Sequence, residues 1–519
     1  MQKLTQDLTA SIVVFLVALP LSMGIALASG VPPALGLITA VLGGWVASLF
    51  GGSPLSISGP SAGLMVVVGA MVAEHGPGKL AAAVLLAGLV QLAAGLLRVG
   101  RLFQAVSPSV IRGMISGIGI LIIASQVHVM IDDQVRASGL ENLLALPGGV
   151  WKAITDYQDR EHDIAAGVGV ATLAAVVLWN RIKPPQLQVV PGPLVGAALA
   201  AGLAAIFQLP IRYVAVPENL LDIVSFPTLG TVGQMADPIV VGTGLSIAVV
   251  ATAETLLCAT AVARMTESKR PKYDRELTVQ GVANLLCGAI GTLPMAGVIS
   301  RSTANVQAGA RTRAAAVLHA TWIALFVLLL PNVLELVPTS SLAAILVYVG
   351  FKLLDPRAVR AMVPFGWEVV GIVVVTAVAI VVSDLLTGVA IGLVLSAIRI
   401  LYKMSNVEFH LEVADGRADL HMVGSATFLG LPKLADILDE VPKGTELHLH
   451  FDELEFIDHA CLDQISAFRQ RHATGGGEVV VEWDELFSLQ NKSLGDEAKA
   501  GSAISLPGDS RPPTPDPEG

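Results

Sequence analysis

The sequence predicts an all-α polytopic membrane protein of about 14 spans followed by a small α/β domain. Three observations carry this. Of 519 residues, 53% are hydrophobic and 14% charged, with a mean hydropathy of +0.70, whereas soluble chains carry about a quarter charged residues. Long stretches such as Leu80–Leu97, Ile164–Trp179, Ile239–Val250, Ala314–Leu330 and Val369–Val382 hold no charge at all. A soluble helical protein needs a polar stripe on most helices, and these have none. From about residue 407 the pattern changes to short alternating and amphipathic segments. The net charge of −10 says little about partners, because much of the acidity follows residue 407.

The spans are expected near 8–28, 34–50, 59–73, 79–97, 109–130, 163–179, 189–207, 238–263, 276–291, 299–308, 314–331, 341–354, 365–383 and 385–402. The first could be mistaken for a signal peptide, since Lys3 precedes an apolar stretch ending in Ala26-Leu27-Ala28-Ser29-Gly30. Pro20 interrupts that stretch and Asp7 sits where a positive flank is expected, so it reads as a membrane helix that breaks midway. Counted from a cytoplasmic N-terminus, the inside loops hold Arg98/Arg101, Arg181/Lys183, the cluster Arg264–Arg275, Arg311/Arg313 and Lys352/Arg357/Arg360. The outside loops hold only Lys79, Arg136, Lys152, Arg160 and Arg212. This bias follows the positive-inside rule. It places the chain in an inner membrane with both the N-terminus and the C-terminal domain in the cytoplasm. The basic cluster is a topology determinant, not a nucleic-acid patch.

The third and tenth segments are too short and polar to be complete spans. One runs Ser56-Ile57-Ser58-Gly59-Pro60-Ser61-Ala62-Gly63 into Leu64–Val72; the other runs Met295-Ala296-Gly297-Val298-Ile299-Ser300-Arg301-Ser302 into Thr303–Ala308. Interrupted segments at matching places in two halves point to a transporter's midplane site. They stand seven spans apart, an odd number, so the two halves must be inverted relative to each other.

After the spans (1–405), Glu408–Glu412 and Glu446–Phe451 alternate as strands, Leu431–Leu438 and Ala460–Gln470 read as helices, and Glu478–Trp483 reads as a further strand. This domain covers 406–492, and the Pro-rich tail 493–519 is expected to be disordered. Cys258, Cys287 and Cys461 are far apart, without metal spacing. His448 and His450 share a strand face, with His459 further on, but no additional ligand has convincing spacing, so no metal is expected. No phosphate-binding Gly-x-x-x-x-Gly-Lys-[Ser/Thr] occurs in the soluble part, and neither enzyme activity nor a cofactor is indicated.

The half-helix Ser58-Gly59-Pro60-Ser61 resembles that of the sulfate-permease (SulP) anion transporters. So does the block Glu276-Leu277, Gln280-Gly281-Val282-Ala283-Asn284, Gly288, Gly291, Ser300-Arg301, Asn305 and Gly309-Ala310-Arg311-Thr312. The resemblance implies a 7+7 inverted repeat with a core domain from spans 1–4 and 8–11 and a gate domain from spans 5–7 and 12–14, elevator-like movement and a cytoplasmic STAS domain. Pro20 to Gly30 is closest to the bicarbonate-transporting branch. That branch has Asp for sodium where this chain has Glu254, and Thr where it has Cys258. The segment Phe456-Ile457-Asp458-His459-Ala460-Cys461 lacks the hydroxyl that anti-anti-sigma relatives phosphorylate, so the STAS domain is expected to be an assembly scaffold, most simply of a homodimer.

The expected substrate seat comprises Ser58, Gly59, Pro60, Ser61, Gly297, Ser300 and Arg301, with Pro20 and Ser22 of the first span. Free N–H groups and positive dipole at a helix start favour an anion. Arg301 could be a snorkelling side chain at a helix end, and Glu254 a partner for a buried Arg. Intramembrane charges are functional by default, however. Glu254, with Cys258, is expected to hold the coupling ion, a proton or sodium. The expected activity is secondary transport of bicarbonate or sulfate. The alternatives are a dicarboxylate or nucleobase carrier on the same fold and a membrane sensor signalling through the STAS domain.

Overall fold

The computed structural model describes residues 2–101, 107–136, 138–155, 160–184, 187, 190–215, 226, 229–266, 271–404, 407–414, 416–451 and 454–481. The expected tail 493–519 and the basic residues Lys269 and Arg270 lie outside the described residues. The chain forms two compact units, Met1–Ser396 and Ala397–Gly519.

The first unit is helical because its apolar segments must satisfy their backbone hydrogen bonds internally. Its helices are α1 (Gln2–Ala28), α2 (Pro33–Leu42), α3 (Met65–Leu96), α4 (Pro108–Met130), α5 (Gly139–Thr155), α6 (Arg160–Ile182), α7 (Gly192–Phe207) and α8 (Pro238–Thr266). Then follow α9 (Tyr273–Ala289), α10 (Ile299–Gln307), α11 (Ala314–Leu329), α12 (Thr339–Leu354), α13 (Trp367–Val382) and α14 (Leu385–Met404), the last crossing into the second unit. Among the described residues, seven helices are long and apolar enough to cross a bilayer, and α7, α11 and α13 are shorter apolar helices. Each hydrophobic segment expected from sequence falls on a helix. The third and fourth lie on either side of a break in α3, where Gly76 takes φ +80° and Pro77 restarts the helix. Helix α5 has no counterpart among the expected spans. It is amphipathic, with Asn142 buried and Leu144 and Trp151 exposed.

Two three-residue strands interrupt the helices. β1 (Ser58–Pro60) leads through a turn into α3, and β2 (Met295–Gly297) leads into α10. They pair antiparallel, with Ser58 opposite Gly297, Gly59 opposite Ala296 and Pro60 opposite Met295. All six residues are buried. Ladder bonds continue past the strands: Val298 N donates to Ile57 O at 2.8 Å, and Ile57 N donates to Ser302 Oγ at 2.8 Å.

The second unit carries a five-stranded sheet: β3 (Val407–Ala414), β4 (Arg417–Ala426), β5 (Glu446–His450), β6 (Leu454–Ile457) and β7 (Glu478–Val481). β3 runs antiparallel to β4; β5 and β6 run parallel to β4, and β7 parallel to β5. Helices α15 (Leu431–Glu440) and α16 (His459–Thr474) contribute Leu434, Leu438 and Ile465 to a core with Leu420, Met422 and Leu447. Sequence reading missed β4 and β6. β4 mixes Gly424, Ser425 and His421 into its alternation, so its strand period is masked. Asp458 caps α16 by accepting from Cys461 N at 2.9 Å.

Candidate functional site

The β1–β2 ribbon is held by the helices behind it. Glu276, Gln280 and Asn284 stand four residues apart on one face of α9 and are 3%, 1% and 0% exposed. Glu276 Oε2 accepts from Ser53 N at 2.8 Å, fixing the loop that enters β1. Asn284 Oδ1 accepts from Met295 N at 2.7 Å, while Asn284 Nδ2 and Gln280 Nε2 donate to Met295 O at 3.0 and 2.8 Å. From α8, Thr255 Oγ1 accepts from Gly297 N at 2.9 Å. Buried backbone groups need such partners, and here side chains supply them because a two-stranded ribbon has open edges. Asp7, which disrupts a signal-peptide reading, accepts from Arg311 N, Thr312 N and Thr312 Oγ1 at 2.6, 3.0 and 2.5 Å. It thereby ties α1 to the turn after α10.

In front of the ribbon lies a cavity of about 1090 Å³. Its wall includes Ser61, Ala62 and Gly63, Glu254 and Leu257, and Gly297 to Ser300. Glu254 sits midway along α8 and accepts from Ser61 Oγ at 2.5 Å, and Ser61 Oγ also accepts from Gly63 N at 3.2 Å. A Cβ at Gly63 would overlap the Glu254 carboxylate. The starts of two helices, α3 and α10, thus meet at one cavity wall beside one carboxylate. Such ends present N–H donors and positive partial charge, and the Ser300 hydroxyl adds a further donor, while the Ser61 proton is engaged by Glu254.

The other expected site residues are placed differently. Ser58, Gly59 and Pro60 form the ribbon but do not line the cavity, and neither do Pro20 and Ser22, which flank the lining residue Leu21 within α1. Cys258 is 0% exposed, with its Sγ 3.1 Å from Ser302 Oγ. It faces the back of Gly297, whose added Cβ would stand 3.1 Å from Cys258 Cβ. Arg301 is likewise 0% exposed and absent from the cavity wall, because it lies on the face of α10 that carries Asn305 inward. Its Nη1 is 2.6 Å from where a Gly59 Cβ would be, and its Nε, Nη1 and Nη2 have no hydrogen-bond partner among the described residues. The charge stands behind the ribbon rather than in the open seat.

Sequence reading missed a second part of the cavity wall, formed by Arg112 of α4, Asn180 of α6 and Lys183 directly after it, and Tyr348 and Lys352 of α12. No short motif unites them, and only the packing of three helices does. The ribbon-holding stripe was visible in sequence as Glu276, Gln280 and Asn284 at a four-residue spacing on a helix whose other charged residues, Asp274 and Arg275, lie in its first turn.

A model of the sulfate permease family matches residues 4–377. A putative sulfate transporter of Bacillus subtilis (strain 168), YvdB, is 29% identical over 93% of this chain and 92% of its own length. The solved transmembrane domain of a cyanobacterium bicarbonate transporter, BicA, matches with a TM-score of 0.64 at 25% identity, over 75% of this chain and 97% of that one. The structure of SLC26A9 shares the fold at a TM-score of 0.73 and 15% identity, over 94% of this chain and 86% of that one.

Proposed function

Because the chain belongs to the sulfate permease family, we propose that it carries a small inorganic anion, sulfate or bicarbonate, across the bilayer. The observation that carries this reading is the convergence of the starts of α3 and α10 on one cavity wall through an antiparallel ribbon. Antiparallel strands that feed two helices bring both N-termini to the same depth, as an inverted 7+7 repeat requires. The anion sits against Ser61, Gly63, Gly297 and Ser300. Arg301 contributes its charge from behind Gly59 and offsets the anion's desolvation.

Glu254 is the coupling group. Its place beside the seat keeps the empty site from being too positive, so that the anion can leave again. Cys258 supports the ribbon rather than the coupling ion, since its sulfur faces Ser302 and not the cavity. Alternating access proceeds by movement of the helices that carry the ribbon against α4–α7 and α12–α14. The C-terminal unit serves as a STAS-type scaffold for a homodimer, with both termini cytoplasmic. A cavity of about 1090 Å³ also has room for a dicarboxylate, which makes fumarate the control substrate.

Uptake of labelled sulfate, bicarbonate and fumarate into proteoliposomes, with and without sodium and proton gradients, tests the reading. Accumulation of one inorganic anion under one of the gradients is expected. Uptake of fumarate alone, or none above empty liposomes, would refute it.

A further inference from the structure

The basic part of the cavity wall, which includes none of the expected site residues, is itself built to hold an anion. Lys183 and Lys352 form no ion pair with any carboxylate among the described residues; Lys352 Nζ rests 4.8 Å from the centre of the Tyr348 ring. Asn180 Nδ2 donates to Tyr348 Oη at 3.0 Å. The phenol oxygen is therefore occupied as an acceptor, and its proton is left to donate. Tyr348 and Lys352, four apart on α12, share a helix face, and Lys183 directly follows α6, its N–H continuing the last turn by donating to Trp179 O at 2.9 Å, three residues after Asn180. The Arg112 guanidinium is held in place by donating to Leu354 O and Asp355 O at 2.9 and 2.7 Å. Three cations thus line the cavity, and Glu254, at the seat against the ribbon, is its one lining carboxylate among the described residues.

We propose that Lys183, Lys352 and the Tyr348 hydroxyl form a second anion seat, distinct from the ribbon seat, whose preferred ligand is a dianionic oxyanion of the sulfate class. The proposal rests on the reading of the cavity as an anion path and narrows its substrate. Coulomb energy scales with ligand charge, so two uncompensated lysines attract a dianion twice as strongly as a monoanion. Oxyanion geometry suits the donor set, because two ammonium groups and one hydroxyl can each take a separate oxygen. This seat lies on α6 and α12 and the ribbon seat on α3, α8 and α10. An anion leaving the ribbon can therefore be received by helices outside that group.

The test is calorimetric titration of the purified full-length protein with sodium sulfate and with sodium bicarbonate. It compares wild type with the Lys183→Gln/Lys352→Gln double variant and with Tyr348→Phe. Lys352 is exposed and Lys183 half-buried, so the double variant should melt with the wild type. If the double variant binds sulfate about tenfold more weakly, halving the ligand charge halves the lost free energy and bicarbonate should weaken only about threefold. Tyr348→Phe should weaken sulfate by about threefold, the loss of one hydrogen bond. Unchanged sulfate affinity in the double variant, or equal losses for both anions, would overturn the second seat. Wild-type protein that binds bicarbonate but not sulfate overturns the dianion preference and leaves the anion path standing. Wild-type protein that binds neither removes both.

Discussion

Ser61 Oγ donates a 2.5 Å hydrogen bond to Glu254 Oε2, joining the entry to α3 to the middle of α8 at the cavity wall. A carboxylate in that position can respond to both the anion and a coupling cation. Glu254→Gln keeps the shape but cannot exchange a proton or balance a cation. Gradient-driven uptake should vanish in this variant while anion exchange persists in part. Unchanged pH and sodium dependence of transport would exclude both forms of coupling.

Arg301 has three buried nitrogens beside Gly59 without partners among the described residues. An uncompensated buried charge is stabilised by an anion nearby. Arg301→Ala should therefore weaken anion binding about tenfold or more, the effect of losing a buried charge interaction. Arg311→Ala should leave binding within about twofold, because the Arg311 contact recorded with Asp7 is made by its backbone N–H. Equal affinities in the two variants would separate Arg301 from the anion.

Asn284→Ala leaves the buried Met295 N–H without its acceptor. Stranding such a group costs about 1–3 kcal/mol. Gln280→Ala should cost less, since Met295 O keeps its bond from Asn284. Thermal midpoints of the two variants, with uptake measured alongside, check this order. A midpoint for Asn284→Ala equal to wild type would show that the ribbon does not depend on α9.

The helical class and the position of every hydrophobic segment were legible because lipid imposes one pattern, long runs without charge. The two interrupted segments were legible because Gly, Pro and Ser stand out against that background. What the sequence did not disclose was direction. Ser300 and Arg301 are adjacent, yet one lines the cavity and the other is buried behind it, since successive helical residues point about 100° apart. Cys258 sits one turn from Glu254 on nearly the same face of α8, yet it packs against Ser302 while Glu254 lines the cavity. The basic part of the cavity wall depends on residues from three separate segments and had no local signal at all.

In the C-terminal unit, burial pushes the Cys461 thiol up to about 12, with Asp458 adding to the shift. An unfolded cysteine titrates near 8.5. The folded state therefore keeps its proton where the unfolded state loses it, and stability is fully present below about pH 8.5 and falls as pH rises towards 12. Cys461→Ala should flatten that fall. Thermolysin susceptibility of the C-terminal unit in the full-length protein, measured between about pH 7 and pH 10, reads the slope. Identical slopes in the two proteins would mean that Cys461 does not set the alkaline limit.

The most direct test of the anion seat is binding of the transported anion to purified Gly63→Ala protein. The added methyl would overlap the Glu254 carboxylate and push it into the seat. The clash is with the far end of a flexible side chain, so the melting temperature should stay close to wild type. The account predicts a loss of anion affinity of about tenfold or more at unchanged stability, a seat interaction of roughly 1.4 kcal/mol. Wild-type affinity in a correctly folded Gly63→Ala protein would contradict it and place the anion elsewhere.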